Sequence, residues 1–464
     1  MSGAELAYRY LAPSAVRPGR DRSDVVLSTS GGVTDAGPAV HPYFFSGLLT
    51  EPAVAAAGML ACAAVARARY FVPGSVLAPI INDPVVTSNV DRLRFESFSS
   101  CCGVHARLDL LPDALDGAPL ASGTTNVDFN PAMRAALGGV AGGGPLLLSI
   151  GSGEVTVDTA NESVTERKVP LPDRWLKGFG EVQALARGMR LAGELTGVEA
   201  HRFVRSLPRS ARRPVWARPA GRTFSLLPAA SPGAVCIAGP HRLAELGPLL
   251  RFARRLRVYG PDIASGVQEA PSGWELDLGM ARFVLTLSPE KWRGFSGEGA
   301  LLGLLADPDV AADADLVGSR LTWDGRIDEE RIGSAAGLSA DRVRDALGYL
   351  AAAGRVGYDL ADESFFQRAL PFGQALEAMH PRLASARELI AAGAVTLTGA
   401  GATVRSGGTE HRVTFGGGTA DRCTCTWWGK HLGTRGPCKH VLAARMAATD
   451  AARDASVAGR AAAP

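Results

Sequence analysis

The 464-residue sequence has little that would tie it to an oxidising compartment or to a bilayer. Its seven cysteines are an odd number in a long chain without a visible secretory leader. That argues for a reducing cytosol, where thiols serve as thiolates or as buried apolar groups, and against a disulfide scaffold. No basic segment followed by an apolar one opens the chain, so no signal peptide is expected. Uncharged runs are short: Ala135 to Gly153 is loaded with glycine and interrupted by Pro145, and Pro52 to Ala66 is too short to span a bilayer and reads as a buried helix. Charge of one sign is scarce as well. A net charge of +3 and a pI near 8.5 fall far below those of a nucleic-acid coat, so any contact with nucleic acid must come from local patches. The chain also lacks a Gly-x4-Gly-Lys-Ser/Thr phosphate loop. Ser296 misses the Gly-x-Ser-x-Gly spacing of a nucleophile elbow, and no solenoid-length period is found.

What is present is enough apolar residue, 46% of the chain, for several packed units at this length. The expected class is α+β and multidomain. A polar lead over 1–23 precedes an α+β domain over 24–207, a basic Pro/Arg linker over 208–222 and a second α/β domain over 223–306. A winged-helix-like and helical module follows over 307–393, then a cysteine-bearing module over 394–448 and an Ala-rich tail over 449–464. Short strands are expected at Asp24 to Ser30, Leu93 to Phe98, Val104 to Leu110, Thr124 to Phe129, Leu146 to Ile150 and Glu154 to Asp158, each bounded by turn residues. Trp175, Leu176, Phe179, Val182, Ala186 and Met189 recur at helical spacing and give one amphipathic helix. Beyond the linker, strands are read at Phe224 to Leu227, Val235 to Ala238, Trp274 to Leu278 and Phe283 to Leu287. A helix is read from His241 to Val258, and Ser288-Pro289-Glu290 is read as the start of another.

From about Val317 to Phe372 the order is that of a winged helix-turn-helix. Asp328 to Ala336 forms a first helix, Gly337-Leu338 the turn, Ser339 an N-cap, and Ala340 to Ala353 a second helix, with wing strands at Val356 to Leu360 and Ser364 to Arg368. Val343, Ala346, Leu347 and Leu350 face inward. The outward face carries Asp341 and Asp345 against Arg342 and Arg344, so repulsion from phosphate cancels much of the attraction. A spacer or protein-docking role is the favoured reading of this module.

Near the C-terminus, Cys423-Thr424-Cys425 and Cys438-Lys439-His440 form a Cys-x-Cys-x12-Cys-x-His array. Zinc wants four N or S donors in a tetrahedron, and thiolate is the softest donor a protein offers. Residues two apart on an extended chain point the same way, so Cys423 and Cys425 can face one ion. Pro437 marks the start of a final helix whose first turn carries Cys438 and His440, where the helix dipole favours thiolate. Four protein ligands leave no open position for water, which makes one structural Zn2+ the expected cofactor and disfavours a catalytic zinc. Redox chemistry of the cysteine pair and unrelated buried cysteines are the remaining readings. Trp427 and Trp428 are expected to pack the small zinc core, while His411 and His431 read as solvated histidines.

This array, with its preceding strand Val413 to Phe415 and its Pro-Cys-Lys-His-Val-Leu-Ala run, resembles the SWIM zinc finger family over roughly 404–447. The resemblance implies a β-hairpin and helix clasping one zinc through Cys423, Cys425, Cys438 and His440, in modules thought to mediate DNA binding or protein contacts. Composition rich in Ala, Gly and Arg resembles proteins of high-GC bacteria. The layout is similar to bacterial SWIM proteins encoded beside MoxR-type AAA+ ATPases and von Willebrand factor A proteins.

Two weaker constellations remain. Cys101, Cys102 and His105 lie close in sequence, but adjacent cysteines on a strand face opposite ways and a fourth ligand is missing, so a buried turn is the plainer reading. Glu96, Asp109 and Asp128 could form a carboxylate group, although charges on exposed strand faces are commoner. The expected function is that of a non-enzymatic cytoplasmic adaptor whose zinc module docks a partner protein. The rival is a DNA-binding protein using the finger and wing, kept alive by a local basic excess in which Arg422, Lys430, Arg435 and Lys439 are the nucleic-acid candidates. No membrane partner is expected.

Overall fold

Short alternating runs make most of the first half of the chain strand. In the computed structural model the described residues are 7–8, 13–18, 23–34, 36–70, 83–140, 145–151, 169–171, 173–208, 213–263, 269–289, 294–297, 299, 301–370, 380–416, 421–433 and 435–461. Two compact units form: 1–296 with 321–327 and 354–371, and 297–320 with 328–353 and 372–464. The strand expected at 154–158 and the helix start at Glu290 lie outside the described residues.

The first unit is organised by a ten-stranded antiparallel sheet. In spatial order its strands are Arg190–Thr196, Arg255–Gly260, Ser272–Asp277, Ala281–Leu287, Val104–Leu110, Leu93–Phe98, Val85–Ser88, Gly123–Asn126, Gly32–Thr34 and Gly37–Ala39. Strands from the expected 24–207 and 223–306 domains therefore hydrogen-bond in one sheet, Ala281–Leu287 directly against Val104–Leu110. A five-stranded sheet stands beside it, in which Leu146–Ile150 runs parallel to Ser23–Leu27. The Ala-rich run is the helix Pro52–Arg67 and is largely buried. It packs so closely on the sheet that a Cβ at Gly58 would meet the Leu108 side chain at 2.5 Å, so only glycine allows that approach.

Two expectations fail here. The Pro/Arg stretch is not wholly a linker: Val215–Ala220 is a strand paired with Thr223–Leu227 and Val235–Ile237, because Trp216 and Ala217 bury their side chains. Pro219 is tolerated because the second neighbour pairs only with residues 215–217, leaving its missing N–H on an open side. The helix read over His241 to Val258 is split into a 3-10 helix Pro240–Phe252 and a strand Arg255–Gly260. Pro248 denies the helix a donor, and Leu256 and Val258 alternate inward against Arg255 and Arg257 as strand periodicity requires.

The strands Leu93–Phe98 and Val104–Leu110 have an apolar face, with Leu93, Phe95, Ala106, Leu108 and Leu110, and a charged one, with Arg94, Glu96, His105, Arg107 and Asp109. Glu96 and Asp109 are fully buried, which corrects the solvated-face reading. The charged face is covered by the hairpin of Val356–Asp359 and Ser364–Gln367 and by the helix Asp173–Arg187. Arg368 grips both oxygens of Glu96 at 2.9 and 2.8 Å, and His105 Nε2 lies 3.3 Å from the same carboxylate. Asp359 receives Arg107 at 3.1 Å and Arg282 at 3.1 Å. Arg107 also meets Asp109 at 2.9 Å, and Arg282 meets Asp362 at 3.0 Å. Asp128 is not part of this group; it accepts from the Ser14 backbone N–H and the Asn130 amide, each at 2.9 Å.

In the second unit the helices Glu329–Ala336 and Ala340–Ala352 form as expected, with Gly337 left-handed at φ 68°. Asp328 and Ser339 cap them, and the helix Pro308–Gly318 packs alongside. The wing strands form too, but as the hairpin of the first unit.

Candidate metal centre

The C-terminal module starts from a helix, Pro381–Ala391, and a four-stranded antiparallel sheet of Val395–Thr398, Gly401–Ser406, Thr409–Thr414 and Arg422–Cys423. Alternation puts Ala402, Val404, Val413 and Cys423 on the core face. The other face carries Arg405, Arg412 and Arg422, all exposed. A short helix, Thr426–His431, lies between the two ligand pairs. A long helix, Lys439–Ala461, closes the module and absorbs most of the Ala-rich tail.

Cys423, Cys425, Cys438 and His440 are all buried, and their donor atoms lie within 4.8 Å of one another. Cys423 Sγ stands 3.8 Å from His440 Nδ1, close to the ~3.8 Å edge of a tetrahedron with arms of ~2.3 Å. The donor set and its spacing fit one structural Zn2+. Two thiols also sit at helix starts: the Trp428 N–H donates to Cys425 Sγ at 3.4 Å and the Val441 N–H donates to Cys438 Sγ at 3.5 Å. Backbone donors and the helix dipole favour sulfur as thiolate at both places.

The electrostatics without a cation show why one belongs there. A hydrogen bond from the Cys423 thiol, against the cost of burial, draws Cys438 down to about 4. The same bond and burial push Cys423 far up, and burial raises Cys425. Crowded sulfurs share their protons, and only a divalent ion lets all three ionise together.

The surroundings hold this geometry. Arg382 donates to the carbonyls of Arg435 and Pro437 at 2.8 and 2.9 Å, fixing the approach to Cys438, and its guanidinium lies 4.6 Å over the Trp427 ring. Trp427 and Trp428 pack against the zinc core. The His411 ring, read in sequence as solvated, lies against His440 at 4.1 Å between centroids, and Trp427 meets His431 at 4.2 Å. Asp421 accepts from Arg445 at 2.7 Å and from the Gly416 N–H at 2.9 Å. Of the nucleic-acid candidates, Arg422 and Lys430 are exposed, while Arg435 and Lys439 are half-buried. Arg435 lies 5.9 Å over Trp427. Arg405 and Arg412 share the outward face of Arg422, and alternation along the strands could have placed them there from sequence. Among the described residues, Cys101, Cys102 and His105 form no metal-holding group.

Residues 411–444 match the family model of the SWIM zinc finger, so the chain carries that finger with all four ligands in place. No curated protein matches the chain. Among solved structures, that of proliferating cellular nuclear antigen from Entamoeba histolytica is similar at 11% identity over 53% of this chain and 98% of that one, with a TM-score of 0.32, a likeness too weak to argue from.

Proposed function

We propose that this zinc-finger protein is a non-enzymatic cytoplasmic adaptor whose finger presents a surface to a partner protein. The observation that carries the reading is the closed ligand set: three thiolates and an imidazole complete a tetrahedron, so the metal shapes a surface and has no position left for a substrate or water. Near that surface Leu432 is 69% exposed at the end of the short helix, an apolar side chain available for a contact. The winged-helix-like segment serves docking in this reading. Arg342 is tied to Asp313 at 2.8 Å and Arg344 to Asp341 at 3.0 Å, so the arginines of the second helix are already paired. No described helix is long and apolar enough to cross a membrane. A MoxR-type ATPase and von Willebrand A system remains the partner class implied by the family layout.

A second reading, DNA binding, is favoured by one observation. Arg405, Arg412 and Arg422 lie exposed on one sheet face, and none forms an ion pair among the described residues. Affinity capture from the native host, with and without chelator and with Cys438→Ser, tests the adaptor reading. A partner retained by the zinc-loaded protein and lost in both controls is expected. A nanomolar, sequence-selective duplex DNA complex at physiological salt would replace it with the second reading.

A further inference from the structure

We propose that the outward sheet face of the finger receives an acidic, extended segment of the partner protein, an assignment that rests on the adaptor reading and supplies the chemistry of its partner. The strand register places three cations in a row. Arg405 stands opposite Glu410 on the next strand, Arg412 lies two residues beyond Glu410, and Arg422 on the edge strand stands opposite Thr414, two residues beyond Arg412. Each step therefore crosses one strand and advances two residues, which on a sheet is about 8 Å, so the three side chains start from a diagonal about 17 Å long.

All three arginines are exposed. Asp421, next to Arg422 in the chain, is held by Arg445 at 2.7 Å, so it does not neutralise the row. Thr396, Thr403 and Thr414 take outward positions around the row. Thr424 stands across from Arg412: its N–H donates to the Arg412 carbonyl at 3.1 Å, and its hydroxyl accepts from the Arg412 N–H at 3.0 Å.

Such a face offers guanidinium forks and hydroxyls and little apolar surface. The forks suit carboxylates, which they bind through paired hydrogen bonds. An extended chain presents alternate side chains on one side about 6.8 Å apart, within reach of arginines that step by about 8 Å. Nucleic acid fits the face less well. Its outward positions hold no aromatic side chain among the described residues, so bases have no platform to stack on. Contacts to so few phosphates release few counterions, and Glu410, exposed opposite Arg405, repels an unbroken line of phosphates. A peptide can place a neutral or basic residue at that point.

The zinc-loaded full chain is titrated at physiological salt into three fluorescent probes, and anisotropy is read: a peptide alternating Glu and Ser and long enough to span the row, its Lys-Ser counterpart, and a short DNA duplex. The Glu peptide is expected to bind, the Lys peptide not to bind, and the duplex to bind more weakly than the Glu peptide. The triple variant Arg405→Gln, Arg412→Gln, Arg422→Gln should weaken the Glu peptide by about tenfold or more, with zinc content and melting unchanged, while Glu410→Gln should strengthen it. Neutralising Arg320, Arg326 and Arg355, which are exposed outside the finger, should leave it unaltered. A Glu peptide that does not bind, a duplex that binds more tightly, or an equal loss in both triple variants overturns the proposal. So does a host partner captured alike by the wild-type protein and the finger triple variant, an outcome under which the adaptor reading still stands. A wild-type protein that binds the Glu peptide through the row yet captures no host partner refutes the adaptor reading and keeps the acid-binding face.

Discussion

The zinc finger and the charged face of the ten-stranded sheet both bury polar groups where an apolar core would serve, yet they do so over very different lengths of chain. In the finger the ligands lie within one short segment, with Cys423 and His440 17 residues apart, and a metal neutralises the thiolates. On the sheet, Arg368 reaches back 272 residues to Glu96, and Arg107 donates to the Tyr358 carbonyl across 251 residues and pairs with the neighbouring Asp359, so that side chains of opposite charge neutralise one another. The finger can be assembled from local geometry plus zinc. The sheet face can be assembled only once most of the first unit has come together, because an arginine without its partner would be a bare buried charge.

The largest effect that would sharpen this contrast is removal of the metal. Cys423→Ser or Cys438→Ser should release about one zinc per chain and unfold the finger, since structural zinc contributes roughly 10 to 16 kcal/mol of apparent binding energy in small fingers. Metal analysis and circular dichroism check it. Fresh protein without zinc would refute the site, and loss of the first unit's own melting transition in these variants would break the contrast.

Next in size is the converse experiment. Asp359→Ala removes the carboxylate shared by Arg107 and Arg282 and should cost about 3 to 5 kcal/mol, the usual penalty for stranding buried charge. Urea unfolding should show it in the first unit while the zinc content stays unchanged. Exchanging Glu96 and Arg368 together for Leu and Met should cost much less than Glu96→Gln alone, because the pair vanishes and no charge is stranded.

Sequence showed these two regions unequally, and for the same physical reason. The ligand array, the strands Leu93–Phe98 and Val104–Leu110, and the caps at Asp328 and Ser339 depend on neighbours a few residues away and could be read directly. Arg94, Glu96, Arg107 and Asp109 alternate with apolar residues as a half-exposed strand does. Nothing local reveals that a hairpin more than 240 residues later covers them. The same blindness made residues 215–220 look like linker and merged a 3-10 helix with the Arg255–Gly260 strand, since Trp216 and Val258 reveal their direction only through distant partners. The short helix at Thr426–His431 is hidden for a different reason: its N-cap is Cys425, a residue whose spacing speaks first for a metal ligand.

Acid should separate the regions again, with an effect of up to about 3 kcal/mol at full protonation. Burial alone would raise the Glu96 carboxyl, but Arg368 and His105 outweigh it and hold it at about 2. Its contribution is therefore complete above the unfolded value of ~4.3 and is lost as pH falls toward 2. Asp359 is likewise depressed by Arg107, Arg282 and Arg94 against the opposing effect of burial, and acts in the same direction. Burial lowers His105, so the unfolded chain takes up its proton first and a shallower loss begins below ~6.5. Urea midpoints of the first unit should fall in those two stages, the first of them absent in His105→Gln. A flat profile down to about pH 3 would show that the buried network does not titrate as its geometry requires.

The smallest expected effect concerns the outward sheet face of the finger, and it decides between partner protein and nucleic acid. Nonspecific duplex binding in the range of about 10⁻⁴ to 10⁻⁶ M at physiological salt is the expected result, because the cations are few. If phosphate is contacted, each cation lost should flatten the dependence of log affinity on log salt by about 0.9. The side chains should not count equally. Arg435 lies over Trp427 and Lys439 opens the last helix half-buried, whereas Arg405, Arg412, Arg422 and Lys430 stand exposed. Changing those four to glutamine should flatten the slope more per cation than changing Arg435 and Lys439, and Arg342 and Arg344 should not matter because Asp313 and Asp341 already hold them. Measurements of binding against salt for the three sets of variants check the order. An equal loss per cation removed in all three sets would mean that bulk charge, and not this face, attracts the polyanion.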